Sequence, residues 1–259
     1  MVYFRTNWVV NPESGVYSAS VRSPTNIPSD PPLSGYGVEQ SKQLASYLGE
    51  MQPAVDRVYS SPYYRCLQTL EPYIKETGIE IRGECGIGEW HGTALFDHPS
   101  PAPASTLRRL FPMYSESYIP AIIPAPSGES IEGLYDRTAY ALARIIAQLD
   151  TEEGQPKTVL LCTHAATLIA TGRTLTGHLP EHVEEEDFKP FTCSLSKFVR
   201  RKDPSDNIKF IGTVKAEEGI PQVDWRSGRG IGGGWDCVIN GDCSFLKGGA
   251  ERGWKFGDL

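Results

Sequence analysis

No run of 18 or more apolar residues occurs in the 259-residue sequence, which excludes a membrane-spanning helix on hydropathy grounds. A surplus of positive charge is also missing. Lys and Arg number 25 against 32 Asp and Glu, for a formal net charge of -7. That balance argues against direct nucleic-acid binding, so any role at DNA would run through protein partners. The first ten residues, MVYFRTNWVV, lack the basic segment and long apolar stretch of a signal peptide. The six cysteines, at 66, 85, 162, 193, 237 and 243, form no close CxxC pair, and they are too few for a disulfide scaffold of this length. Reduced thiols in a soluble nuclear or cytoplasmic protein are expected, with no metal and no cofactor. Histidine is scarce too: there are five, and none precedes His91.

What is present is enough apolar material, 39% of residues, to bury a sizeable core. Residues 11–32 are rich in Pro, Ser and Asn and read as loop. Ser34 then precedes a helical pattern of Val38, Leu44, Ala45 and Leu48, ending at Gly49. The apolar run 55–59 reads as a buried strand and stops at Ser60-Ser61-Pro62; a helix follows from Tyr64 to Thr77 and closes on Gly78. A second strand is predicted over 79–81, a short helix over 105–111 inside a Pro-rich stretch (98–126), and a long amphipathic helix over 130–149. Residues 158–162 have no polar alternation, as expected of a parallel strand covered on both faces, and lead into a helix over 165–176.

Strands alternating with helices predict an α/β three-layer sandwich with a mainly parallel central sheet. This domain is assigned to residues 1–205. Residues 206–259 are Gly-rich and polar with two apolar islands, at 235–239 and 244–246, and hold Trp225, Trp235, Phe245 and Trp254. They are expected to form irregular structure with one or two edge strands, packed on the main domain. The acidic run from Glu181 to Asp187 is assigned no role beyond a solvated face.

Ligands of parallel α/β sheets bind at the carboxyl ends of the strands, and three polar clusters fall there. Arg65 lies in the first turn of a helix that opens directly after a strand, where orphan N–H groups and a guanidinium together suit an anion. An ordinary ion-pair role is the alternative. His164 sits between an apolar strand and a helix, where its pKa suits proton exchange, unless it is simply a satisfied structural residue. Glu89, in Gly86-Ile87-Gly88-Glu89-Trp90-His91-Gly92, is a candidate general acid whose pKa burial against Trp90 would raise; the alternative is a loop carboxylate. His91 is the weaker candidate. In Gly128-Glu129-Ser130, Ser130 reads as a helix cap, with Glu129 complementing the helix dipole.

Taken in order, these segments resemble the histidine phosphatase, or phosphoglycerate mutase-like, superfamily. Leu33-Ser34-Gly35-Tyr36-Gly37-Val38-Glu39-Gln40 resembles its L-[ST]-x-x-G-x-x-Q helix start. Ser60-Ser61-Pro62 through Arg65, Gln68 and Thr69 resembles S-S-P-x-x-R-x-x-Q-T, Gly128-Glu129-Ser130 its G-E-S, and Thr163-His164 its second histidine. A phosphatase-like subgroup, the small subunits of the fungal RNA polymerase III factor TFIIIC, is similar over nearly the whole chain. The match includes Arg5-Thr6-Asn7-Trp8, Thr163-His164-Ala165-Ala166 and Asn240-Gly241-Asp242-Cys243. The resemblance implies metal-independent hydrolysis of a phosphomonoester through a phosphohistidine. Arg65 and Arg5 would hold the phosphate, His164 and Glu89 would be catalytic, and the stretch 98–126 would cover the pocket. The subgroup implies transcription-complex subunits as partners.

The departure is at the start. The family's nucleophile lies in Arg-His-Gly after an apolar strand, and alignment on Arg5-Thr6-Asn7-Trp8 places those residues on Met1, Val2 and Tyr3. None of these offers an unprotonated nitrogen in line with phosphorus. The absent strand would also leave its neighbours with unpaired backbone groups. Two accounts stay open: a start codon placed downstream of the true one, or a pseudophosphatase that kept its partner-binding surface. Either way, the chain as written is expected to hold phosphate and to turn it over poorly.

Overall fold

Two short antiparallel strands open the described chain, β1 (Trp8–Val10) and β2 (Tyr17–Ala19), the second within the stretch whose composition predicts only loop. The Asn11 side chain makes the turn possible by accepting from the Glu13 and Ser14 amides, and Gly15 supplies a positive φ of 67°. The computed structural model describes residues 8–154, 156–201 and 212–257.

Helix α1 (Gly35–Glu50) starts where Ser34 accepts from the Gly37 amide at 3.1 Å, as its position predicts, and runs one residue past Gly49. Strand β3 (Arg57–Ser60) leads to α2 (Tyr64–Thr77), which Gly78 closes in the left-handed conformation at φ 71°. Strand β4 (Ile81–Gly83) begins two residues later than its apolar pattern suggests. The short helix α3 (Ala104–Leu110) and strand β5 (Ile122–Ile123) follow. Helix α4 (Ile131–Thr151) begins after Ser130, whose hydroxyl accepts from the Gly133 amide. Strand β6 (Val159–Cys162) runs straight into α5 (Ala165–Thr176). Strands β7 (Leu195–Arg200), β8 (Val214–Lys215) and β9 (Trp235–Asp242) complete the order.

The central sheet among the described residues has the order β4-β3-β6, all parallel, with Ser60 opposite both Gly83 and Cys162. Neighbouring residues of β3 show why there are three layers. Val58 is buried with Leu44, Leu48, Leu67 and Leu70 of α1 and α2. Tyr59, on the opposite face, is buried with Leu134, Leu142 and Ile169 of α4 and α5. Strand β6 differs from expectation: Val159, Leu160 and Leu161 are half-buried, and among the described residues β6 pairs with β3 alone.

Antiparallel pairing of β7 with β9 ties residues after 212 to the body of the chain. Trp225 and Phe256 are almost wholly enclosed, beside Tyr135 of α4. Trp225→Ala should therefore cost about 3–5 kcal/mol, read as a lower urea midpoint at unchanged slope. A loss under about 1 kcal/mol would show that this stretch merely lies on the surface.

The acidic run is not a uniform solvated face. The Asp187 carboxylate receives two hydrogen bonds from the fully buried Arg173 of α5, at 2.8 and 2.9 Å, while the Val183 and Glu185 carbonyls accept from the same guanidinium. No helix among the described residues is long and apolar enough to cross a membrane.

Candidate active site

Parallel register brings the carboxyl ends of β3, β4 and β6 side by side, and the chain turns into the site from each. The Ser61 amide donates to Cys162 O at 2.8 Å and the Glu84 amide to Ser60 O at 2.9 Å, which locks the three ends together. Arg65, Glu89 and His164 then meet at one point. Arg65 Nη2 donates to Glu89 Oε2 at 2.8 Å, and His164 Nδ1 lies 3.1 Å from the same oxygen. The 3.2 Å between Nη2 and Nδ1 follows from both nitrogens addressing one carboxylate oxygen. On its other side, His164 Nε2 is 2.7 Å from Ser61 Oγ and 3.6 Å from Cys66 Sγ.

Both imidazole nitrogens thus face groups able to accept. Burial opposes a charge on His164, while the Cys66 sulfur and the Glu89 carboxylate favour it, and the net pKa lies above the ordinary imidazole value. Burial pushes the Cys66 thiol well up, leaving it neutral near pH 7, so Glu89 supplies the stabilising charge. Burial would by itself raise the Glu89 carboxyl, but His164 and Arg65 outweigh it and hold that carboxyl far below its usual range. The upward shift expected from Trp90 is thereby corrected. The Trp90 ring packs edge-on against Trp254 and Phe256, and its indole N–H donates to Glu129 O. Glu89 is an ionised, ion-paired carboxylate here.

Several residues beyond Arg65, Glu89 and His164 build the site. Asp30, fully buried, accepts from the Tyr64 amide at 2.9 Å and faces Arg65 Nη1 at 3.4 Å. The helix N-terminus read from sequence as an anion seat is therefore already met by a carboxylate. Arg137 of α4, also fully buried, pairs with Glu129 and donates to the carbonyls of Gly86, Gly88 and Glu89. Thr163 and Thr167 hold the Ile87 and Gly88 carbonyls at 2.6 and 2.7 Å. Glu129 thus acts through Arg137, beyond any complement to the helix dipole. Glu84 closes the turn before the loop, accepting from the Gly86 and Ala121 amides and the Tyr118 hydroxyl. The acidic and cationic character of these residues is visible in sequence; their convergence is not.

His91 sits outside this cluster. It stacks on His98 at 4.8 Å, and its Nε2 lies 3.1 Å from Tyr63 Oη, which itself donates to Pro99 O. Tyr63 meets His164 edge-on at 5.5 Å. The stretch 98–126 touches the site wall at its start, and its Tyr118 and Ala121 reach Glu84 at the turn before the Glu89 loop; residues 113–115 run along the outer edge of β4. Arg5 lies outside the described residues. No group of three or more His, Cys, Asp or Glu among the described residues is placed to hold a metal ion.

Burial, with His98, Arg65 and His164 nearby, pulls the His91 pKa down to about 4 against the pull of Glu89. The unfolded chain binds that proton first, so stability falls as pH drops from 6.5 towards 4. The loss amounts to about 3 kcal/mol at most. Urea unfolding at both ends of that window should show a loss of this size in wild type that His91→Gln largely removes. Equal pH dependence in the two proteins would contradict the assignment.

Most of the site is shielded: Ser61 is fully buried and Arg65 and His164 are 4% exposed, while the Glu89 side chain between them is 25% exposed. Two clefts of about 600 Å³ lie elsewhere, one beside Arg82 and Tyr118, the other beside His178 and Arg201.

Comparison with known proteins agrees with this architecture. The chain is 31% identical to the transcription factor tau 55 kDa subunit of Saccharomyces cerevisiae, over 98% of this chain and 56% of that protein. It therefore spans little more than half of that relative. Among solved structures, Bacillus stearothermophilus YhfR superposes with a TM-score of 0.52 at 18% identity, covering 84% of this chain and 88% of that one. The ecdysone phosphate phosphatase of Bombix mori, in complex with tungstate, superposes with a TM-score of 0.50 at 20% identity, covering 71% and 66%. Both show the phosphoglycerate mutase-like α/β fold with its parallel sheet. The sequence profile of the histidine phosphatase superfamily (branch 1) matches residues 18–207, and the chain belongs to that superfamily.

Proposed function

We propose that the pocket at the carboxyl edge of the central sheet binds a phosphate or phosphomonoester through Arg65 and His164, with Arg5 completing the anion seat. The observation that carries this is the meeting of a guanidinium and an imidazole nitrogen on a single carboxylate oxygen, because those donors equally suit a phosphoryl oxygen. Glu89 is the proton donor in a form equipped with a nucleophilic histidine, where it takes up a proton once the anion displaces it from its cations. In the chain as it stands, no histidine precedes His91, and His91 and His98 are engaged with tyrosines. Hydrolysis through a phosphohistidine is the reaction of a form carrying Arg-His-Gly.

A second reading is a non-catalytic interaction subunit of a TFIIIC-like, nuclear RNA polymerase III transcription complex. Similarity to the tau subunit over 98% of the chain supports it, and the two readings are compatible. In both, residues 1–205 carry the pocket and 206–259 form an extension packed on it.

The binding reading is tested by calorimetric titration of tungstate, a phosphate mimic, into the folded chain. Wild type should bind, and Arg65→Gln should bind about tenfold more weakly or worse, the worth of one charge-assisted contact. Equal binding by the two proteins would refute the pocket. Absence of co-purifying transcription-complex subunits from a fungal extract would remove the second reading.

A further inference from the structure

Helix α2 begins without help from its own N-cap residue, since the Tyr63 side chain makes no capping hydrogen bond. Its first amide is satisfied from 34 residues upstream: the Tyr64 N–H donates to Asp30 Oδ2 at 2.9 Å. The same carboxylate turns its other oxygen to Arg65, with Oδ1 3.4 Å from Nη1, and the Ser29 carbonyl lies 3.3 Å from that nitrogen. Nη2 reaches into the site, where it meets Glu89 and His164. The guanidinium is thus divided, one arm on the loop and one in the pocket. The Tyr63 ring, 4.8 Å from the guanidinium carbon, limits the plane it can occupy.

The loop around Asp30 is built to hold it. Ser23 and Thr25 share a 2.7 Å hydrogen bond, and the Thr25 hydroxyl donates to Asp30 Oδ2 at 3.4 Å. Asn26 takes a positive φ of 63°, turning the chain so that the Asp30 amide can reach Ile27 O. The Leu33 amide then donates to Gln68 Oε1 at 2.6 Å, fastening the end of the loop to α2. Ser23, Thr25, Ser29 and Asp30 are all buried, although they come from a segment whose composition predicts an open loop. A buried carboxylate held this way is costly unless its partners are fixed, so the arrangement specifies one orientation of Arg65.

We infer that Asp30 is a positioning residue of the anion pocket: it caps α2 and fixes Arg65 by Nη1 so that Nη2 faces the bound phosphoryl oxygen. The inference rests on the anion-binding reading of the pocket but concerns a residue outside every motif considered above. Substitution by Asn makes a sharp test. The side-chain oxygen is needed by the Tyr64 amide, so the new NH₂ group must face Arg65 Nη1, donor against donor, and the guanidinium is driven from its place.

The test has two arms on the full chain. In the first, tungstate affinity of folded Asp30→Asn should fall about tenfold or more relative to wild type. Unchanged affinity would overturn the inference. A rise would overturn it as well, by showing that Asp30 only competes with the ligand for Arg65. In the second arm, needing no ligand, ¹⁵N spectra should show separate, slowly averaging Nη signals for Arg65 in wild type. These should collapse to the free-arginine pattern in the variant. A residue that merely caps the helix would lower the melting temperature and leave those signals in place.

Should Asp30→Asn fail to fold, Thr25→Val removes one donor to the carboxylate without altering charge. It should shift the Arg65 signals and weaken tungstate binding in the same direction, and no change in either would count against the inference. Failure of wild type to bind tungstate would refute the anion reading alone, because the spectral arm still decides the role of Asp30.

Discussion

Glu89→Gln should bind tungstate about tenfold or more tightly than wild type at pH 6, even though it removes the group proposed to donate the proton. In the free site the Glu89 carboxylate sits where two cations converge, 2.8 Å from Arg65 Nη2 and 3.1 Å from His164 Nδ1. An incoming anion has to displace it. Each charge-assisted contact it holds is worth about 1.5–3 kcal/mol, and a neutral amide gives up most of that advantage. The same change takes away a negative charge that favours the charged His164 imidazole, so that pKa should fall, and the comparison is made at pH 6, on the acid side of the ordinary imidazole value. Calorimetric titration of both proteins with tungstate measures the difference. Weaker binding by Glu89→Gln would mean that the carboxylate organises the cations for the ligand instead of competing with it.

The largest stability effect is expected at Arg137. Its guanidinium is fully buried, pairs with a Glu129 side chain only 11% exposed, and donates to carbonyls of three of the four residues that lead to and include Glu89. Arg137→Met leaves the Glu129 charge without its partner in a dry setting, and losing one member of a buried pair costs about 3–5 kcal/mol. Adding Glu129→Met should recover part of that loss, because an apolar pair of similar volume avoids the stranded charge. Urea denaturation of the three proteins measures both numbers. A single-variant loss below about 1 kcal/mol, or a double variant less stable than Arg137→Met, would show that the loop is held by other contacts.

Features set by local chemistry are legible in the sequence. Ser34 and Ser130 cap their helices and Gly78 closes α2, because a cap depends on residues three or four positions away. Helix α5 matches its predicted bounds, while β4 starts two residues late, since a three-residue strand leaves little periodicity to read. The meeting of Arg65, Glu89 and His164 was also foreseeable, because parallel strands deliver their carboxyl ends to one edge.

Asp30 and Arg137 were not legible. The first reaches Arg65 across 35 positions and the second reaches Gly86 across 51, and no local pattern encodes either contact. The error over Glu89 has the same origin. Its sequence neighbour Trp90 suggested an apolar shield, but tertiary packing turns that ring towards Trp254 and Phe256 and leaves the carboxylate to two cations. Asp187 repeats the lesson, since an acidic run looks solvated until a buried arginine claims one member.

The account turns on a charged imidazole at His164, held by Glu89 and ready to meet an anion. An NMR pH titration of the histidine ring carbons, with and without tungstate, tests that most directly. In the free chain His164 should titrate above the ordinary imidazole value and His91 only near pH 4, and tungstate should shift His164. A His164 that titrates at or below the ordinary value, or that ignores tungstate, would contradict the account.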